Sequence, residues 1–164
     1  MPLILRVSLI FIALAGSLFA RLGENEPQLI TRFGDPTMRG SVDVYAQGQT
    51  ITLGPKLFFK QGDWNITCEI TEGRCSRISY SKTGNWTDDQ FRTVLNSNGQ
   101  GATWTDLTEP MTKQLIRKWR RQDGGTADWT AASSTMTATS PAFERAKKTA
   151  EEKAKAAAGR IPKI

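Results

Sequence analysis

Chemistry on a protein needs nucleophiles, proton carriers or ligand atoms, and this 164-residue chain is poor in them. It contains no histidine. That removes Ser-His-Asp and Cys-His catalysis, most zinc sites and any imidazole base. The two cysteines, Cys68 and Cys75, lie outside the C-x-x-C redox spacing. No phosphate-binding loop or dinucleotide glycine pattern occurs, and the glycines fall where turns need them. Carboxylates remain. Asp88-Asp89, Asp106 with Glu109, and Asp123 with Asp128 have the residue types of a glycosidase acid–base pair. Each also has a plainer role as a helix amino terminus, loop or turn residue. The chain therefore reads as non-enzymatic, with no metal and no cofactor expected.

The residues best suited to binding lie in Arg117-Lys118-Trp119-Arg120-Arg121 and the segment Thr126–Thr130. On paired strands Arg117, Trp119 and Arg121 share a face with Ala127 and Trp129. Indole rings flanked by guanidinium groups can stack sugars or acidic polymers. The competing reading sends both tryptophans into the core and leaves the arginines snorkelling at its edge. The second is the stronger expectation. The sequons at Asn65 and Asn85 matter only in a eukaryotic secretory pathway, and chance explains them.

Two hairpins must position these residues. The first spans Asp63–Lys82, where Ile66, Cys68 and Ile70 alternate, as do Ile78 and Tyr80. A three-residue loop Thr71–Gly73 would pair Ile66 with Ile78 and Trp64 with Tyr80. In that register Cys68 faces the apolar side and Cys75 the other. A Cys68–Cys75 disulfide, which an oxidising compartment would favour, then needs a bulge or a different turn. The second hairpin is signalled by Asp123-Gly124-Gly125, and a three-residue loop there would set Trp119 across from Trp129. Ser134–Thr139 adds a third strand. Upstream, a first strand falls around Val42–Ala46. Ile51–Lys60 is a bent or edge strand because Gly54-Pro55 interrupts it.

Three helices follow from capping patterns. Asn25 with Gln28 caps a short helix carrying Leu29, Ile30 and Phe33, and Gly34 and Pro36 end it. Thr87 with Gln90 caps a second, with Phe91, Val94 and Leu95 on one face and Asn98-Gly99 at its end. Ser140 and Pro141 open a third, running through Ala158, with Phe143 as its one large apolar residue and an alanine stripe at 146, 150, 154 and 157. Leu29, Ile30 and Gly34 recur as Val94, Leu95 and Gly99 at a constant spacing of sixty-five. Two α-then-β units, 21–83 and 84–140, would let two weak sheets share one core.

Residues 1–20 have a basic start, an apolar run from Val7 to Phe19 and small residues after it, the pattern of a cleaved secretory signal. Retained, it would be a membrane anchor and the chain's only membrane contact. Net charge is +6, but seven Lys/Arg against three Glu sit in 141–164, so the body is nearly balanced. That tail is either an interaction arm or, more simply, a solvated helix with i,i+4 pairs. No specific nucleic-acid partner is expected.

Ala20–Pro36 (A-R-L-G-E-x-E-x-Q-L-x-x-R-F-G-x-P), Arg74–Lys82, Trp86–Asn96 and Trp119–Gly124 (W-R-R-Q-D-G) resemble small secreted bacterial proteins of unknown function. More distantly, a helix, L-x-x-R-F-G-x-P and a meander are similar to β-lactamase-inhibitor proteins and small outer-membrane assembly lipoproteins. The lipobox cysteine of the latter is missing here. The resemblance implies an α+β fold and carries no functional residue. The resulting expectation is an antiparallel β-meander with short helices in 21–140, followed by a charged C-terminal helix. Its role would be that of a secreted or periplasmic binding or structural protein meeting a protein partner through a β face. The rival is a protein that binds or hydrolyses an extracellular glycan.

Overall fold

A computed structural model describes residues 21–159; the proposed signal, 1–20, and the last five residues lie outside it. Helix α1 (Glu26–Phe33) begins at a complete capping box, with Asn25 bonding the backbone of Gln28 and Gln28 bonding back. Four strands follow: β1 (Met38–Ala46), β2 (Gln49–Gln61), β3 (Trp64–Thr71) and β4 (Arg74–Lys82). Helix α2 (Asp88–Ser97) has the second capping box, between Thr87 and Gln90. It leads into β5 (Trp104–Asp106), β6 (Ile116–Arg121), β7 (Thr126–Thr130) and β8 (Thr135–Thr139), and α3 (Pro141–Ala158) is the last described element.

All eight strands form one antiparallel sheet in the order β1-β2-β3-β4-β8-β7-β6-β5. Each half is a meander of sequence neighbours, and the two halves join where β4 pairs with β8. Joining them through their last strands buries two would-be edges at once, which neither half could do alone. The two short helices lie on one face of the sheet, called inner below. Leu29 and Val94, matched by the sixty-five-residue spacing, are both fully buried. Each such side chain contributes about 1.5–3 kcal/mol relative to exposure. The helix caps are only sixty-two residues apart, and two of the three residues of difference are those by which α2, with ten, exceeds α1, with eight.

Both hairpin registers differ from expectation by two residues. In the first, Ile66 pairs with Tyr80 and Cys68 with Ile78. The turn has two residues, because Glu72 and Gly73 both take positive φ, at 53° and 74°. That geometry matches the strand twist better than a three-residue loop. A bulge then shifts the ladder, so Ile70 pairs with Cys75 and Ser76 is the extra residue. The bulge turns Cys75 onto the inner face beside Cys68. Even so, the disulfide expectation is corrected: both cysteines are free, buried thiols. The neighbouring Cys75 thiol and burial keep Cys68 protonated well above the usual thiol range. In the second hairpin Trp119 pairs with Ala127, and Trp129 with Arg117. The turn has three residues as expected but falls one residue earlier, at 122–124, because Arg121 N–H bonds the Gly125 carbonyl.

β2 runs unbroken through Gly54 and Pro55, with a bulge at Leu53, and it lies inside the sheet while β1 is the edge. A Cβ on Gly54 would stand 2.0 Å from the Ile70 carbonyl, so β2 and β3 can approach only because that position is glycine. Helix α3 crosses the outer face over the β1–β4 half. Phe143, Ala150 and Ala154 are its buried residues, on the expected stripe. Ser140 occupies the cap position without a side-chain bond to the helix.

Candidate functional site

Arg117, Trp119, Arg121 and Trp129 do share one face, and that face is the inner one. Alternation along β6 and β7 points them beneath α2, with Trp119 and Trp129 only 6% and 8% exposed. The Phe91 ring lies 5.6 Å from Trp119 and 5.3 Å from Trp129, centroid to centroid. Trp86 stacks on the other side of Phe91 and meets Trp64 edge to face. Stacking a sugar needs an open ring face, and here the rings cover one another. The Trp129 Nε1 is buried and has no hydrogen-bond partner among the described residues.

The two arginines frame this cluster in different ways. Arg117 lies 4.4 Å above Phe91, and its Nη1 donates to Asp88 at 2.7 Å. That hydrogen bond, reinforced by charge, holds the Asp88 carboxyl below its usual range. Arg121 is only 1% exposed. It donates twice to Asp123 at 2.7 Å and once to the Asn98 carbonyl, tying the β6–β7 turn to the end of α2. Asp123 is in turn held low, chiefly by the bond from Arg121. Asn98, read from sequence only as a helix terminator, is a fully buried junction. Its amide accepts from the Leu22 N–H and donates to Tyr80 and Val94.

The candidate carboxylates are dispersed. Asp88 and Asp89 bind Arg117 and Arg92, Asp123 binds Arg121, and Asp106 receives the Thr108 N–H. Asp128 points away from Asp123, onto the outer face opposite Lys118 and Thr137. Partial desolvation on the strand surface pushes its carboxyl up, against the opposing attraction of Lys118 and Arg77. Among the described residues no group of acidic or cysteine side chains is placed to hold a metal ion.

The outer face is the surface left accessible. Register pairs align Phe58, Thr67, Ser79, Thr137, Asp128 and Lys118 in one row across six strands. A parallel row runs Lys60, Asn65, Ser81, Thr135, Thr130 and Ile116. None of these side chains is buried. At the centre Ser79 and Thr137 hydroxyls bond each other at 2.9 Å. The one trace of this surface in the sequence is the spacing of Thr135, Thr137 and Thr139 and of Ser79 and Ser81; the rows exist only once the register is known.

A third row lies under α3. Glu69 is 6% exposed on its side chain and bridges Lys56 at 2.8 Å and Arg77 at 2.6 Å. Arg77 also faces the Phe143 ring at 4.3 Å. This group fastens α3 to the sheet. No sequence signal marked it, because its members come from three strands and a helix. A shallow cleft of about 590 Å3 separates the end of α2 from β5, with Leu95, Trp104 and Trp119 in its floor and Arg92 and Asp106 at its rim. Comparison of the chain with models of protein families, with characterised proteins and with solved structures finds no match.

Proposed function

We propose that this chain is an exported, non-enzymatic binding or structural protein that takes a protein partner on the outer face of its sheet. The carrying observation is the asymmetry of the two faces. Helices α1 and α2 close the inner one over the aromatic core, while α3 covers only part of the β1–β4 half of the outer one. The uncovered rows, centred on Ser79 and Thr137, offer donors and acceptors on a broad sheet surface with no deep cavity. Such a surface suits another protein better than a small molecule, which seeks a concave site. Lys60, Lys118 and Arg120 ring it against Asp128, so the partner surface is expected to be acidic at its rim. Export rests on the pattern of residues 1–20, and places the protein in the periplasm or outside the cell.

Site-directed photo-crosslinking in the producing cells tests this. A photoreactive residue at Thr137 should give a discrete protein adduct, and one at Thr93 on the exposed side of α2 should not. Equal adducts from both positions, or none from Thr137, would remove the proposal.

A further inference from the structure

The two ends of the sheet are treated differently. At one end β5 is an edge of three residues, too short to template another chain. At the other, β1 is nine residues long and, among the described residues, has a neighbour on one side only. Which of its backbone groups face outward follows from β2. Pro55 stands opposite Ser41 and has no N–H, so Ser41 and Pro55 cannot be a hydrogen-bonded pair. The two-residue turn Gln47-Gly48, with φ of 51° and 75°, makes Ala46 and Gln49 a bonded pair at the other end. Both arguments assign the even-numbered residues of β1 to β2 and turn the N–H and C=O of Arg39, Ser41, Asp43 and Tyr45 outward. The bulge between these strands places its extra residue, Leu53, on β2, so the outer rim of β1 stays regular.

The side chains on this rim are self-complementary. Arg39 and Asp43 lie two positions either side of Ser41 on the same face of the strand. Arg39 is 54% exposed and uses Nη1 on Glu26. Asp43 is exposed and accepts from Ser41 and Thr52, each at 2.6 Å. A natural edge is commonly defended by charges of one sign, which repel a second copy. This one carries opposite charges at a spacing that an antiparallel copy would match. We propose that two copies of this chain join edge to edge through β1, antiparallel and centred on Ser41, to make a continuous sheet of sixteen strands. In that register Arg39 of each copy faces Asp43 of the other, and both pairs fall where outward N–H and C=O groups meet. Met38, 56% exposed in one chain, comes to lie opposite Val44 of the second copy. Shifting the centre to any other residue loses both charge pairs. The contact is isologous and closes after two copies, so it ends in a dimer rather than a fibre. It uses neither the rows of the outer face nor the inner core, and stands independently of the partner proposed above.

Sedimentation of the protein purified from cells expressing the whole chain tests the inference across a dilution series. Wild type should sediment as a dimer that dissociates on dilution. Arg39→Asp and Asp43→Arg should each be monomeric, since each sets like charges opposite one another. An equimolar mixture of the two should recover the dimer, because each mixed pair is again attractive. Ser41→Pro removes an N–H that bonds nothing within one chain, and should also yield a folded monomer by circular dichroism. A wild type that stays monomeric overturns the proposal. So does a dimer that survives in folded Ser41→Pro, or a mixture of folded charge variants that fails to recombine.

Discussion

At the scale of single residues, the chemistry of this protein is one of closed polar contacts within an aromatic core. Arg121 illustrates the cost of opening one. Arg121→Met would strand the buried Asn98 carbonyl and unpair Asp123, and should lower unfolding free energy by about 2 kcal/mol in a urea titration. A change under a few tenths would show that the contact is incidental. Asp128 carries the opposite sign. Its raised pKa means the fold binds that proton more readily than the unfolded chain does, so ionisation penalises the fold. The penalty is complete above the raised pKa and vanishes below the ordinary carboxyl value of 3.8. Asp128→Asn should therefore stabilise the protein at neutral pH, with the gain fading as pH falls through that window. The thiols give a third check. Without reductant, alkylation should leave both cysteines unmodified in the folded protein and label both once it is denatured. An intact mass showing no label after denaturation would mean a disulfide. The residue types needed for these contacts were legible in the sequence, and so were the shared face of Arg117, Trp119, Arg121 and Trp129. Burial of both tryptophans was the stronger expectation from sequence as well, but the full burial of Arg121 was not, because it depends on Asn98 and Asp123 being brought around it.

At the scale of elements, capping boxes and periodicity placed all three helices and nearly all of the strands, since these are local properties of adjacent residues. What escaped was register. A two-residue turn plus a bulge at Ser76 keeps Ile66, Cys68, Ile78 and Tyr80 inward as a three-residue loop would, and only Cys75 changes face, so alternation alone cannot separate the two. The strand Trp104–Asp106 escaped as well, because three residues are too few to alternate. Glu69 and its partners were invisible for the same reason: pairing across strands assembles them. Helix α3 hangs on that assembly and on one aromatic ring. Phe143→Ala should cost about 3 kcal/mol of docking. Hydrogen exchange should then show α3 amides losing protection while β3 amides keep theirs. Equal loss in both would mean that α3 is integral to the sheet.

At the scale of the whole molecule, one sheet separates two unlike surfaces. Its inner side is sealed by helices and spent on stability. Its outer side keeps two rows of hydroxyl, amide and charged groups accessible between α3 and the β5–β6 end, and that division is what leads from fold to function. An antiparallel sheet ordinarily solvates one face, so openness alone is the ordinary condition. The claim is that this face is occupied where the protein works. Hydroxyl-radical footprinting measures it most directly, comparing purified protein with protein labelled inside the producing cells. Phe58 and Ile116 end the two rows, and Met111, 98% exposed on the β5–β6 loop, reports labelling efficiency in each setting. The account predicts that Phe58 and Ile116 lose labelling in cells relative to Met111. Unchanged ratios in the two settings would contradict it, and the outer face would then be only a solvated surface.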